Sequence, residues 1–524
     1  MEMQNPEQHT TTSDSRRWLA WVALAVFTLI AFSFMIGSYP LTDRDETLYS
    51  QVSRELLDHG DWWTLYWQGK PWFIHAPLSM WMQAAMFKTF GVHEWAARLP
   101  SVIFGVGLVM LTAALGSFLF NRRTGLFAGL IMATSPIVYV VSRMSILDAP
   151  FVFFITLSIL LFIVAWRNGN RKLYPLFWLS LGFATLGKGL WGMALPLMIA
   201  FLYAITDTNR RKLLDWRVYA SAITWAAVVG PWLVIGAQRH GREFLDPILV
   251  TNTYARLTTS VCSHKGPWWF YLPIILVGLF PWSVLWARGF FSVKGDNARF
   301  LVLWIVPALL LHSAARTKLP NYLMPFVPAF AVMLAAYIAE SKRRLSQAIA
   351  LPIIGTGLAL AIIFGVQSAK DVSLHINTPV VAAYMIAMYG IAGIALVRFK
   401  ESGVVVAAVG MMLVLSLIPL GLAKEYSTLG PSSIAREARF VAGNGPVMTT
   451  MGTSCEGGIY FYAGKPFVEP DDLDGLVSAI RRQQGPYAVV LEPTRMAELT
   501  RRVELREVRR TPKWILAVPA GDRE

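Results

Sequence analysis

The chain is dominated by a succession of apolar runs, most close to twenty residues long and each closed by a short polar or basic stretch. A helix of that length matches the roughly 30 Å hydrocarbon core of a bilayer. The runs fall at residues 18–36, 97–119, 125–142, 151–166, 173–187, 189–206, 218–237, 268–287, 298–314, 321–339, 347–366, 379–397 and 403–423. They predict a polytopic α-helical membrane protein of about thirteen spans. Gly187-Lys188-Gly189 divides two runs so narrowly that the pair could form one broken hairpin. Charged residues make up only 15 % of the 524 positions, against roughly 25 % in soluble domains. A purely cytosolic enzyme is thereby excluded.

The net charge of +15 would suggest nucleic acid in a soluble protein. Here the basic residues sit in alternate loops: Arg122-Arg123, Arg167/Arg171/Lys172, Arg210-Arg211-Lys212, Arg288/Lys294/Arg299, Lys342-Arg343-Arg344 and Arg398/Lys400. That is the positive-inside pattern, and it replaces nucleic-acid binding as the account of the charge. Residues 1–17 end in Arg16-Arg17 ahead of the first run and read as the cytoplasmic flank of a signal anchor. Loop 37–96, loop 238–267 and the tail then lie outside the cytoplasm. The loop 37–96 shows helical spacing near 45–58 and 77–90, as expected for helices lying along the interface. The tail has soluble composition. Strand-like runs at 446–450, 487–491 and 514–518 alternate with helical stretches at 432–441 and 471–483. The chain thus divides into a transmembrane domain, 1–423, and a small α/β domain, 424–524. Cys262 and Cys455 are the two cysteines. They either pair or stay as free thiols, and without a CxxC they make no thiolate metal site.

Chemistry-bearing residues cluster on the outer side. Asp43, Asp45 and Glu46 crowd into four positions around Arg44. Helix capping explains one or two of these acids; crowded carboxylates also suit a base or a cation site. Asp148 opens a run just ahead of Pro150, either as a cap or as a partner of Asp45. Lys188 lies between glycines at a membrane hairpin, where a cation snorkels or binds an anion; the glycines favour close approach of a ligand. Lys318, Tyr322, Arg256 and His264 lie in the remaining outer turns. Cations suit phosphate, and acids suit sugar hydroxyls or general-base work. The sequence requires no cofactor, and nothing in it supports a divalent cation.

The order of these motifs resembles a known family. Asp45-Glu46-x-x-Tyr49, Ser53-Arg54-Glu55, Gly60-Asp61-Trp62, Pro77-Leu78-x-x-Trp81 and Glu94-Trp95-Ala96-Ala97-Arg98-Leu99-Pro100-Ser101 are followed by Ser142-Arg143, Leu147-Asp148, Gly187-Lys188-Gly189, Trp268–Pro273, Phe280-Pro281-Trp282 and Thr317–Tyr322. Over about residues 20–340 the set is similar to the GT-C membrane glycosyltransferases of families 39 and 83, related to aminoarabinose–lipid A transferase and protein O-mannosyltransferase. The resemblance implies an inverting transfer of a sugar from a polyprenyl phosphate to a lipid, glycan or protein acceptor. It implies a monomer in the bacterial inner membrane, surrounded by lipid, with its active site facing the periplasm. Carried across, Asp45 and Asp148 are the catalytic carboxylates. Glu46, Tyr49, His75, Lys188, Arg256, His264, Lys318 and Tyr322 bind substrate. His75 stands where the aminoarabinose branch has a lysine, in Ile74-His75-Ala76-Pro77. The competing reading is a transporter or flippase of a lipid-linked sugar, which would favour inverted repeats and midplane charges; the halves show neither.

Overall fold

In the computed structural model the described residues are 11–41, 44–248, 266–340, 402–420, 431–450 and 457–521, with single helical residues at 386, 390, 394, 398 and 423. The expected spans 347–366 and 379–397, Arg256, His264, Cys262 and Cys455 lie outside them, apart from those single positions. Among the described residues six helices are long and apolar enough to cross a membrane.

The chain begins with α1, Thr11–Ser33. The first outer loop then supplies α2, Arg44–His59, a two-residue hairpin of β1, Tyr66–Trp67, and β2, Lys70–Pro71, and α3, Leu78–Phe90. Helices are therefore present where they were expected near 45–58 and 77–90. The bundle follows with α4, Glu94–Leu119, α5, Arg122–Ala133, α6, Pro136–Val141, α7, Asp148–Asn168, α8, Tyr174–Lys188, and α9, Trp191–Thr206. Helices at Ile223–His240, Gly295–Ala314, Val327–Glu340 and Ser402–Leu415 continue it. Two expected spans are broken. Run 125–142 divides between α5 and α6 because Pro136 starts a new helix after Ser135. Run 268–287 becomes the helix Tyr271–Gly278 and a 3-10 turn Trp282–Leu285 on either side of Pro281.

The bundle has two chemically different ends. At one, the basic loops converge. Arg167 Nη2 lies 2.7 Å from Asp296, Lys212 donates to the Trp166 carbonyl at 2.6 Å, and Asn297 donates to the Leu119 carbonyl. At the other end lie α2, α3, the α6–α7 turn, the α8–α9 turn and the turn Pro320–Phe326. Their meeting is closely specified. Gly189 has φ +70°, and a Cβ on Gly192 would come within 2.1 Å of the Ala184 carbonyl oxygen, so the α8–α9 turn needs both glycines.

The tail folds around a five-stranded sheet of order β4-β3-β5-β7-β6. The strands are β3, Val447–Met448, β4, Phe467–Val468, β5, Ala488–Leu491, β6, Leu505–Arg510, and β7, Ile515–Pro519. β3 pairs parallel with β4 and β5, whereas β7 pairs antiparallel with β5 and β6. Alternate side chains go to opposite faces. Val447, Ala488, Val490 and Leu516 meet helices Pro431–Ala442 and Gly457–Ala463. Met448, Val489, Leu491 and Ile515 meet Leu473–Arg482 and Pro493–Leu499.

This unit is docked on the first loop. Tyr460 donates its hydroxyl to Glu55 Oε1 at 2.8 Å, and Glu55 also accepts the Gln68 and Gly69 amides at 3.1 and 2.8 Å. Burial and the Glu55 carboxylate both push the Tyr460 phenol well above its ordinary range. Arg436 reaches Glu94 at 2.7 Å, and the Leu41 amide donates to the Tyr462 hydroxyl at 2.7 Å.

Candidate active site

Asp148 lies in the first turn of α7 and Lys188 in the last turn of α8, where each charge suits the local helix dipole. The two meet at 2.6 Å. The other Asp148 oxygen accepts from Asn321 at 2.9 Å, which adds the turn Pro320–Phe326 to the cluster. Lys188 also stands over the rings of Phe151 and Tyr322, at 5.2 and 5.6 Å from their centroids. Its side chain keeps 18 % of its surface while that of Asp148 keeps 5 %. The carboxylate is thus a buried anchor and the ammonium a reachable cation, steadied by two aromatic faces.

Asp45 is half-buried in the first turn of α2, and Tyr49 follows one turn later on the same face. The Tyr49 hydroxyl lies 3.2 Å from His75 Nε2. Trp72 closes this group, with its ring 6.5 Å from Tyr49 and 5.6 Å from His75. The helix α2 is fixed to the chain just before α7: Ser145 N donates to Glu46 Oε1 at 2.8 Å, and the Ser50 and Ser145 hydroxyls are 3.1 Å apart. Asp45 and Asp148 therefore belong to the same end of the bundle.

Glu46 has a different setting. It is fully buried and paired in two bonds with Arg98, at 2.7 and 2.9 Å. Arg98 spends its other N–H groups on the carbonyls of Ile36, Tyr39 and Pro40. All five guanidinium hydrogens are engaged. Residues 36–40 and the first turn of α2 are thereby gathered around one side chain. Arg143 does comparable work for α1, donating to the carbonyls of Ala31, Phe32 and Phe34. Lys318 donates to the carbonyls of Ser313 and Ala315, both at 2.6 Å, and so caps helix Gly295–Ala314. Burial holds its ammonium below the ordinary lysine range.

The structure brings Asp148, Lys188 and Tyr322 together, and separately Tyr49 and His75. Glu46 it seals in a clamp, and Lys318 it ties to a helix end. Asn321 and Trp72 were not singled out from the sequence, although Asn321 stands within the motif Thr317–Tyr322. Among the described residues no group of three or more His, Cys, Asp or Glu is gathered to hold a metal ion.

Residues 74–235 match the family described as dolichyl-phosphate-mannose-protein mannosyltransferase, a stretch that contains His75, Asp148 and Lys188. The undecaprenyl phosphate-α-4-amino-4-deoxy-L-arabinose arabinosyl transferase of Yersinia pestis is 28 % identical over 358 residues. That match covers 66 % of this chain and 63 % of the relative, so the chain spans less than two thirds of the length of this curated relative. The crystal structure of ArnT from Cupriavidus metallidurans bound to undecaprenyl phosphate superposes with a TM-score of 0.82 at 20 % identity, covering 96 % of this chain and 98 % of that one. The archaeal oligosaccharyltransferase AglB from Archaeoglobus fulgidus gives 0.53 at 12 % identity, over 87 % of this chain and 64 % of that one. The chain has the GT-C fold of ArnT and is similar in sequence to the aminoarabinose transferases and, over residues 74–235, to the protein mannosyltransferase family.

Proposed function

We propose that this chain is an inverting glycosyltransferase that moves a sugar from a polyprenyl phosphate to an acceptor at the periplasmic face of the bacterial inner membrane. The observation that carries the reading is the reachable Lys188, held by buried Asp148 beside Tyr322 at the end of the bundle that also bears Asp45. The names of the relatives supply the donor class: the Yersinia pestis protein is named for a sugar on undecaprenyl phosphate. The acceptor is a lipid such as lipid A, another glycan or a protein. The working unit is a monomer in membrane lipid, with about thirteen spans and its amino terminus in the cytoplasm. The tail 424–524 lies outside as a lid or acceptor guide.

In this reading the acceptor hydroxyl attacks the anomeric carbon from the face opposite the phosphate. The carbon–oxygen bond to the phosphate breaks, and the polyprenyl phosphate leaves with the electron pair. Asp45 takes the hydroxyl proton. Lys188, with Arg256 and His264 from loop 238–267, offsets the charge that builds on the departing phosphate. Asp148 keeps Lys188 in place, and Tyr49, His75 and Tyr322 line the site. Lys318 and Glu46 act at one remove, through the helix end and the loop they hold.

Asp45→Asn should lower sugar transfer by roughly 100-fold or more while expression and thermal midpoint stay near wild type. Mass spectrometry of lipid A, glycans, hopanoids and secreted proteins, from cells with and without the chain, should show one lost sugar mass. Undiminished transfer by the variant removes Asp45 from the mechanism. An unchanged envelope together with export of a lipid-linked sugar supports the flippase reading instead.

A further inference from the structure

Helix Gly295–Ala314 delivers an imidazole to the Lys188 cluster that no step above uses. His312 Nδ1 lies 2.9 Å from the Ala308 carbonyl oxygen, one turn back on its own helix. A carbonyl only accepts, so Nδ1 carries a proton and Nε2 points away with either a lone pair or a second proton. Among the described residues no protein group hydrogen-bonds Nε2. The ring is set among Trp191, Tyr271, Tyr322 and Phe326, with centroids 6.1, 6.4, 6.0 and 5.1 Å away. Tyr322 is also the ring beneath Lys188, and Trp191 opens the helix three residues beyond it. Lys188 and His312 thus share the Tyr322 ring, at 5.6 and 6.0 Å from its centroid.

An anion drawn to the Lys188 ammonium is brought to the aromatic enclosure that holds the imidazole. A phosphate monoester is such an anion, and its second proton leaves near pH 6, close to the range of imidazole. We propose that His312 Nε2 contacts the phosphate of the polyprenyl phosphate released by transfer, sharing one proton with it beside Lys188. A monoanionic monoester and neutral imidazole, or a dianionic monoester and imidazolium, contain the same number of protons. The hydrogen bond is therefore made in either form. The sugar-bearing diester lacks that second proton; with the acceptor proton on Asp45 the monoester leaves as a dianion and takes up one proton from water, and the contact develops as it does so. This rests on the donor reading given above.

The test is titration of the purified full chain with undecaprenyl phosphate, and with undecaprenol as the phosphate-free control. His312→Phe keeps an aromatic ring among its neighbours but removes Nε2; His312→Gln keeps a polar atom near it. The phenylalanine variant should bind undecaprenyl phosphate about tenfold more weakly, the cost of a hydrogen bond to a charged group. The glutamine variant should stay within about threefold of wild type by the same measure. Undecaprenol should bind all three alike, and the lipid-free thermal midpoints should agree. Wild-type affinity in His312→Phe overturns the inference. So does an equal loss in both variants with a lowered midpoint, which marks a packing role. If wild type binds undecaprenol and undecaprenyl phosphate equally, the donor reading itself fails.

Discussion

Two carboxylate–cation pairs lie at the same end of this bundle and are built to opposite purposes. Glu46–Arg98 has no exposed side-chain surface on either partner. Every guanidinium hydrogen is spent inside the protein, on one carboxylate and three carbonyls. Asp148–Lys188 has one sealed partner and one that keeps 18 % of its surface. Its lysine rests on aromatic faces rather than on a full set of acceptors. The first pair has no unused donor to offer a ligand. The second has a donor to turn outward. Opposite charges near a membrane face therefore do not of themselves mark a site; what separates the two is whether the cation still has hydrogens to give.

The sharpest way to break this contrast is to remove each cation in turn. Arg98→Ala leaves a buried carboxylate without its partner, a loss of about 3–5 kcal/mol. Thermal unfolding in detergent should show a sharply lowered midpoint. A midpoint near wild type would mean that water reaches Glu46 and that the clamp is not sealed. Lys188→Ala should act mainly on function. Transfer should fall roughly 100-fold, with a smaller drop in midpoint because this pair is partly exposed, whereas Glu46–Arg98 is fully sealed. Equal midpoints for the two variants would erase the distinction.

Smaller effects sharpen it at the edges of the site. Tyr460→Phe deletes one hydrogen bond to buried Glu55, worth about 1.5 kcal/mol. Hydrogen exchange should quicken in Gly457–Ala463 and not in α7 or α8. Asp61 marks the exposed limit, with Arg239 at 2.9 Å. Partial burial pushes its carboxyl up, but the Trp63 amide, the Thr64 hydroxyl and Arg239 outweigh this and hold it below its ordinary range. Its contribution is therefore present above the unfolded carboxylate value and lost as pH falls through the lower folded one. Asp61→Asn should cost only about 0.5 kcal/mol at pH 7, read as protease sensitivity of loop 60–70. The difference should vanish in strong acid.

Much of the fold was legible because a span is a local property. An apolar run of about twenty residues reports itself whatever it packs against, and α4, α7 and α9 lie close to where the runs do. Hydropathy averages over prolines, however, so the breaks at Pro136 and Pro281 were smoothed away. Strand β6 was hidden for a different reason. Leu505–Arg510 is an edge strand rich in exposed charge, so its pattern carries little apolar alternation.

The site was legible by residue type and not by partner. Asp148 and Lys188 stood out as charges at the ends of apolar runs, but their pairing spans forty positions in the chain. Glu46 looked the same as Asp45 in sequence; Arg98, fifty-two positions on, is what takes it out of reach. His312 gave no signal, because it lies inside an apolar run and its meaning comes from rings on three other segments.

The claim at the centre is that a lipid phosphate binds at the acidic and aromatic end of the bundle, on Lys188. A cryo-EM structure of the full chain with undecaprenyl phosphate measures this directly. The phosphate should lie within about 4 Å of the Lys188 ammonium, with its isoprenoid chain leaving toward the bilayer. Density for the phosphate at the opposite end, among Arg122, Arg171 and Arg211, would contradict it.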